Sequence, residues 1–184
     1  VQAPDFTPSS KLNRWVFNGD TVDTVLQDLM ENGIKVQGGE RIGKTIIFAQ
    51  NKKHAQFIVD RFNKLYPKLA TGGFIRRGVH GDDYSGAVIA DFKAKELPVI
   101  TVSVDMMDTG IDVPEVLNLV FFKQVKSKTK FWQMIGRGTR LCEGVFATDR
   151  IDGEYADKRR FFIFDCCGNF EFFRQGKNLA EGKN

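Results

Sequence analysis

Gln133, Arg137 and Arg140 stand at spacings of i, i+4 and i+7, which on a helix places three planar donors along one face. Two guanidinium forks and an amide in one stripe suit the oxygens of a phosphate, which they can grip in pairs. Arginines on an amphipathic helix are ordinarily solvated, so the neighbouring chemistry has to decide. Upstream, the segment from Thr101 to Pro114 leaves an apolar run and contains Thr109-Gly110-Ile111-Asp112. Gly110 permits close approach of a ligand to the backbone, and Asp112 offers acceptors for sugar hydroxyls. In open parallel sheets ligands bind beyond the carboxyl ends of strands, where a loop leaving this run must lie. Asp105 and Asp112 could equally cap turns. With the arginine stripe beside them, a nucleotide's phosphates and sugar become the stronger reading.

A second segment, Gly38-Gly39-Glu40-Arg41-Ile42-Gly43-Lys44-Thr45, matches the spacing of a Walker A phosphate loop. Such a loop must run from a buried strand into a helix whose N-terminus meets the anion. No convincing buried strand precedes Gly38, and Thr45-Ile46-Ile47-Phe48-Ala49 is a β-branched run that favours a strand. Phe161 to Asp165 could pose as the companion Walker B strand, but Cys166-Cys167-Gly168 follows it where a catalytic carboxylate is needed. The segment is therefore expected to be a polar turn entering the first sheet strand. A self-contained phosphate-loop ATPase is the rival reading, and an inert binding scaffold a second rival.

The elements that must position these residues alternate along the chain. Asp20 or Thr21 can cap a helix through Met30, which Gly33 can end. Strands are expected over 45–49, 74–79, 99–104, 116–122 and 161–164, with helices over 54–66 and 86–95 between them. Ser127 can cap a further helix running through Leu141, with Phe131, Met134, Gly138 and Leu141 on its apolar face. Strands joined by helical crossovers imply a mostly parallel α/β sheet with helices on both faces. Residues 142–160 are polar and mixed in charge and read as an excursion or mobile loop.

The 184 residues fit one ordinary domain, and 42% hydrophobic with 27% charged residues makes a globular chain, not a disordered one. No apolar run approaches the roughly 20 residues of a membrane span, so no membrane partner is expected. Three cysteines without zinc spacing, two of them adjacent, point to a reducing compartment and to buried apolar roles. The net charge of +4 permits a polyanionic partner. The four lysines between Lys123 and Lys130 read first as a solvated face. Val1 opens the chain without Met, which suggests an excised piece.

Thr109-Gly110-Ile111-Asp112 followed by Gln133-x-x-Gly-Arg137-x-x-Arg140 resembles motifs V and VI of superfamily 2 helicases. Lys44 to Ala55 is similar to motif IV, and Val79-His80-Gly81 follows on the next strand, so the resemblance covers residues 43–141. The wording of the segments from Val104 to Pro114, Phe131 to Cys142 and Phe161 to Phe173 looks closest to the R subunits of type I restriction enzymes. DEAD-box RNA helicases usually open motif VI with His where this chain has Gln133, which favours the DNA-translocating branch.

The resemblance implies a three-layer RecA-like, P-loop NTPase-type domain over 20–173, with a lead-in over 1–19 and a tail over 174–184. It implies the second motor domain of an ATP-dependent DNA translocase, located in the cytoplasm. ATP and Mg²⁺ would be held mainly by a first RecA-like domain of the same chain. Arg140 would be the arginine finger and Arg137 its neighbour, with Gln133, Gly110 and Asp112 also at the ATP. Asn51, Lys52, His80, Thr101 and Ser103 would grip a DNA backbone. Methylation and specificity subunits would be further partners.

Overall fold

The computed structural model describes residues 9–79, 81–82, 84–105, 112–146 and 156–181. The chain opens with α1 (Ser9–Val16) and α2 (Gly19–Asn32), then a small antiparallel hairpin of β1 (Lys35–Val36) and β2 (Arg41–Ile42). β3 (Lys44–Ala49), α3 (Lys52–Leu65), α4 (Pro67–Ala70), β4 (Ile75–Val79), α5 (Ser85–Ala94) and β5 (Ile100–Val104) follow. The chain continues through β6 (Val116–Phe122), α6 (Lys128–Ile135), β7 (Phe162–Asp165) and α7 (Asn169–Glu181).

β3 to β7 form one five-stranded sheet in the order β4-β5-β3-β6-β7, every neighbour parallel. β3, β5 and β6 are buried along their whole lengths. That burial is why β3 and β6 read in the sequence as largely apolar runs rather than alternating ones. One face of the sheet packs under α1, α2 and α3, through Leu12, Val16, Leu26, Leu29, Ile58 and Phe62. The other packs under α5 and α6, through Phe92, Phe131, Met134 and Ile135. Each large side chain taken out of water contributes roughly 1.5–3 kcal/mol before the cost of ordering the chain. This is the three-layer α/β architecture that the sequence pattern implies. No described helix is long and apolar enough to cross a membrane.

Three departures have local causes. Asn18, and neither Asp20 nor Thr21, caps α2: its side chain accepts the Thr21 N–H at 3.0 Å. The expected lead-in contains α1, whose Leu12 and Val16 are buried in the core. α7 runs across the expected tail boundary, because Asn169 anchors its start by bonds to Val125 N (2.7 Å) and the Lys123 carbonyl (3.0 Å). At the start of the sheet, the buried Asn118 amide accepts Ile34 N–H at 2.8 Å and donates to the Ile34 carbonyl at 3.1 Å. That pair of bonds fastens the end of α2 to β6.

Candidate functional site

α6 begins where expected, with the Ser127 hydroxyl accepting the Lys130 N–H at 3.3 Å. It ends early, at Ile135, so Gln133, Arg137 and Arg140 do not form a stripe on one helix. Beyond Ile135 the backbone tightens to i→i−3 bonds, from Arg137 N to Met134 O (3.1 Å) and from Gly138 N to Ile135 O (2.9 Å). Gly138 explains the change. A Cβ at this position would lie 2.3 Å from the Phe161 ring, so this turn presses its backbone onto the residue before β7. Two glycines, Gly136 and Gly138, also weaken any helical continuation by about 1 kcal/mol each. Leu141, expected on the apolar face, is 81% exposed for the same reason.

The turn delivers Arg140 to Asp112. Their side chains form an ion pair at 3.0 Å, with 61% and 49% of the respective side chains exposed. Arg137 donates its Nε to the Gln133 carbonyl at 3.3 Å, and the Gln133 side chain itself is exposed. Four of the expected nucleotide residues thus lie on or beside one short irregular segment. Gly110 falls outside the described residues. The segment after Asp112 is held from below by Lys158, whose buried ammonium donates to the Pro114 carbonyl at 3.0 Å. Burial pushes the Lys158 pKa down to about 8, opposed by Cys142. The described ends of the 142–160 excursion are stitched together, by Lys158 N to Cys142 O and by Phe146 N to Ala156 O, each at 2.8 Å.

A second cluster lies at the carboxyl edge of the sheet, which all five parallel strands share. Asn51 caps α3, and Lys52 on its first turn pairs with Asp82 at 3.4 Å. Arg77 reaches the other oxygen of Asp82 at 3.3 Å. His80 lies outside the described residues, although its neighbour Gly81 sits beside Lys52: a Cβ there would be 3.5 Å from Nζ. Thr101 lies near the start of β5 and Ser103 one residue before its carboxyl end. Both are fully buried inside β5, because the strand is covered on both faces and its alternate residues point into the second layer. Among the described residues the Thr101 hydroxyl has no hydrogen-bond partner.

The sequence offered little sign of the site's other anchors. Asp105 follows β5 with φ +59° and binds Lys123 at 3.4 Å and Lys130 at 3.1 Å. Burial raises its carboxyl, but the Lys130 hydrogen bond and the two lysine charges outweigh this and hold it below the usual range. Half of the lysine cluster is therefore engaged and not a free basic face.

The Walker-like segment is not a phosphate loop. Gln37, Gly38 and Gly39 take positive φ angles in the β1–β2 turn, and Lys44 opens a buried strand instead of following a loop into a helix. Its ammonium donates to the carbonyls of Lys95 (2.6 Å), Glu96 (3.1 Å) and Pro98 (2.9 Å). It also lies 5.0 Å from the centroid of the Phe92 ring. Burial lowers its pKa, with Glu115 opposing. With all three protons directed at backbone carbonyls, Lys44 has no donor left for a phosphate, and the self-contained ATPase reading falls.

The helicase conserved C-terminal domain family matches residues 23–142. The EcoKI type I restriction endonuclease subunit of Escherichia coli K12 is 36% identical over 132 residues, covering 67% of this chain. The EcoAI counterpart from Escherichia coli is 31% identical over 130 residues, covering 60% of this chain. The chain spans only 10% and 16% of those two proteins. Among solved structures, a fragment assigned as an HsdR subunit of a type I restriction enzyme from Vibrio vulnificus YJ016 superposes with a TM-score of 0.70. It shares 23% identity, over 92% of this chain and 31% of its own.

Proposed function

Because this chain belongs to the helicase conserved C-terminal domain family and is related to type I restriction endonuclease subunits, we propose that it is the second motor domain of an ATP-dependent DNA translocase. In this reading it closes over a nucleotide held by a companion RecA-like domain. The observation that carries it is the exposed Arg140–Asp112 pair. The two side chains that the family resemblance assigns to the γ-phosphate and the ribose stand next to each other, at a surface a nucleotide could reach. An exposed ion pair contributes about 0–1 kcal/mol, so a phosphoryl oxygen can replace the Asp112 carboxylate as the partner of Arg140 at little cost. Arg137 and the exposed Gln133 supply further planar donors beside it.

Among the described residues no group of carboxylate, histidine and cysteine side chains could hold a metal ion. In this reading Mg²⁺ sits with the companion domain, where it would neutralise charge on the β- and γ-phosphates. This chain contributes the guanidinium that offsets charge developing on the transferred phosphoryl group. On the nucleic-acid side, Asn51 and Lys52 meet a DNA backbone at the carboxyl edge, and Arg77 is added to them. Methylation and specificity subunits complete the assembly and supply base reading, since backbone contacts carry no sequence information.

The test is Arg140→Ala in the full-length polypeptide. DNA-stimulated ATP turnover should fall roughly 10³- to 10⁵-fold, the worth of an arginine finger, while ATP affinity changes far less. Arg140→Lys should fail as well, because a point charge lacks the bidentate geometry. A folded Arg140→Ala protein within threefold of the parent rate at saturating ATP and DNA removes this residue from the reaction.

A further inference from the structure

The turn that presents Asn51 and Lys52 is closed by a buried histidine. Asn51 Oδ1 accepts the backbone N–H of His54 at 2.9 Å, an ordinary helix cap. In return His54 Nδ1 accepts the backbone N–H of Gln50 at 3.1 Å. The arrangement is a reciprocal cap in which an imidazole takes the place of the usual Glu or Gln and reaches one residue further back. Because Nδ1 accepts a backbone N–H, the ring is neutral and carries its proton on Nε2. Burial pushes the His54 pKa down to about 4, opposed by the Val16 carbonyl, so this form persists across the neutral range.

A reciprocal cap needs only an acceptor, which a solvated Gln would provide. His54 is instead fully buried. Its ring stands edge-on to Phe122, at the end of β6, with centroids 4.7 Å apart at 86°. It also leans on Phe17, in the link between α1 and α2, at 5.4 Å. One side chain thus joins three things: the Gln50–Lys52 turn, the end of a central strand, and the α1–α2 corner. Without the Nδ1 acceptor the turn keeps the Asn51 cap but loses its tie to the core. The Lys52 and Asn51 donors would then have to be ordered at the moment of binding, at a cost in affinity.

We propose that His54 is a positioning residue for the DNA-gripping turn, fixing Asn51 and Lys52 at the carboxyl edge in register with β6 and the α1–α2 corner. The proposal rests on the reading of Asn51 and Lys52 as backbone contacts, so the experiment separates the two. Binding of a fluorescein-labelled DNA duplex and DNA-stimulated ATP turnover are measured at fixed salt on the full-length polypeptide, with thermal melts alongside. His54→Phe keeps the ring packing and removes the acceptor. His54→Asn keeps an acceptor where Nδ1 stood and removes the ring.

Loss of one buried acceptor should weaken DNA binding by His54→Phe about tenfold, with kcat at saturating DNA and KM for ATP within twofold of the parent. His54→Asn should bind DNA within threefold of the parent although it melts below His54→Phe. A purely structural role would make DNA affinity follow the melting temperature, and that ranking overturns the proposal. If Asn51→Ala and Lys52→Ala weaken DNA binding while His54→Phe does not, the proposal alone falls. If neither of those alanine variants weakens binding, the contact reading fails and takes the proposal with it.

Discussion

Lys44→Met separates a structural lysine from a catalytic one. The ammonium makes hydrogen bonds of 2.6, 2.9 and 3.1 Å to three carbonyls between the end of α5 and the start of β5. Each bond from a charged donor is worth about 1.5–3 kcal/mol, a gross loss of roughly 4–9 kcal/mol. Against this, the variant no longer withdraws an ammonium from water, which recovers several kcal/mol. Met preserves the aliphatic stem and its packing on Phe92. The orphaned carbonyls then dominate. Those of Lys95 and Glu96 lie in part-buried bonds and can take water, whereas the Pro98 bond is fully buried. A net destabilisation of about 2–4 kcal/mol follows, which for a chain of this size lowers Tm by roughly 5–15 °C. The assay is a thermal melt of this chain paired with ATP turnover of the full-length polypeptide, measured per folded molecule below the variant's melting point. Turnover should remain within about threefold of the parent. A Lys44→Met protein that melts within 2 °C of the parent while losing ATP turnover by orders of magnitude would refute the reasoning and restore the phosphate loop.

Three further outcomes follow from the same geometry. Gly138→Ala forces a Cβ to within 2.3 Å of the Phe161 ring, so it should cost about 1–3 kcal/mol by overpacking. It should also reduce DNA-stimulated turnover, since the turn it distorts carries Arg137 and Arg140; Phe161→Leu in the same chain should recover part of both losses, and failure to recover either would argue against this contact. His54 titrates at about 4 in the folded chain against 6.5 ordinarily, so the unfolded chain takes up the proton first. The His54 contribution to stability should be flat above about pH 7 and fall by about 3 kcal/mol between pH 6.5 and 4. His54→Phe should lack this portion of the pH profile, while acid loss from Asp23 and Asp91, held below the usual carboxylate range by Arg61 and Lys95, lies beneath pH 4. Lys52→Ala should weaken binding to all DNA sequences equally and reduce the slope of log affinity against log salt by about one unit; an effect confined to one sequence would mean base contact instead.

The centre of the sheet was legible because β3 and β6, buried on both faces, leave largely apolar runs. All five strands lie within a residue or so of the spans expected from β-branched and aromatic content. The same full burial misleads for Thr101 and Ser103. In a half-exposed strand such polar residues mark the solvent side, but here they sit under α5, and only the second layer reveals it. The false phosphate loop was legible too, since a β-branched run after Lys44 contradicts the helix such a loop must enter. Where Lys44 directs its protons was not, because its carbonyl partners lie 51 to 54 residues away.

The end of α6 shows why helical spacing alone fails at a site. Counting i, i+4 and i+7 from Gln133 passes through Gly136 and Gly138 as though they were neutral, although each disfavours helix by about 1 kcal/mol. Sequence periodicity had an apolar residue to continue with at Leu141, and nothing local forbade it. The deciding contact is between Gly138 and Phe161, made across an excursion whose described ends are zipped together at Cys142 and Lys158. That contact converts the last helical turn into i→i−3 bonding and swings Arg140 to Asp112, a residue 28 positions away in sequence. Residue types therefore brought Arg140 and Asp112 under suspicion together. Their pairing depends on a glycine whose importance lies in what it permits another segment to touch. A helix carried through to Leu141 would have aligned three donors in a row and left Asp112 without its partner.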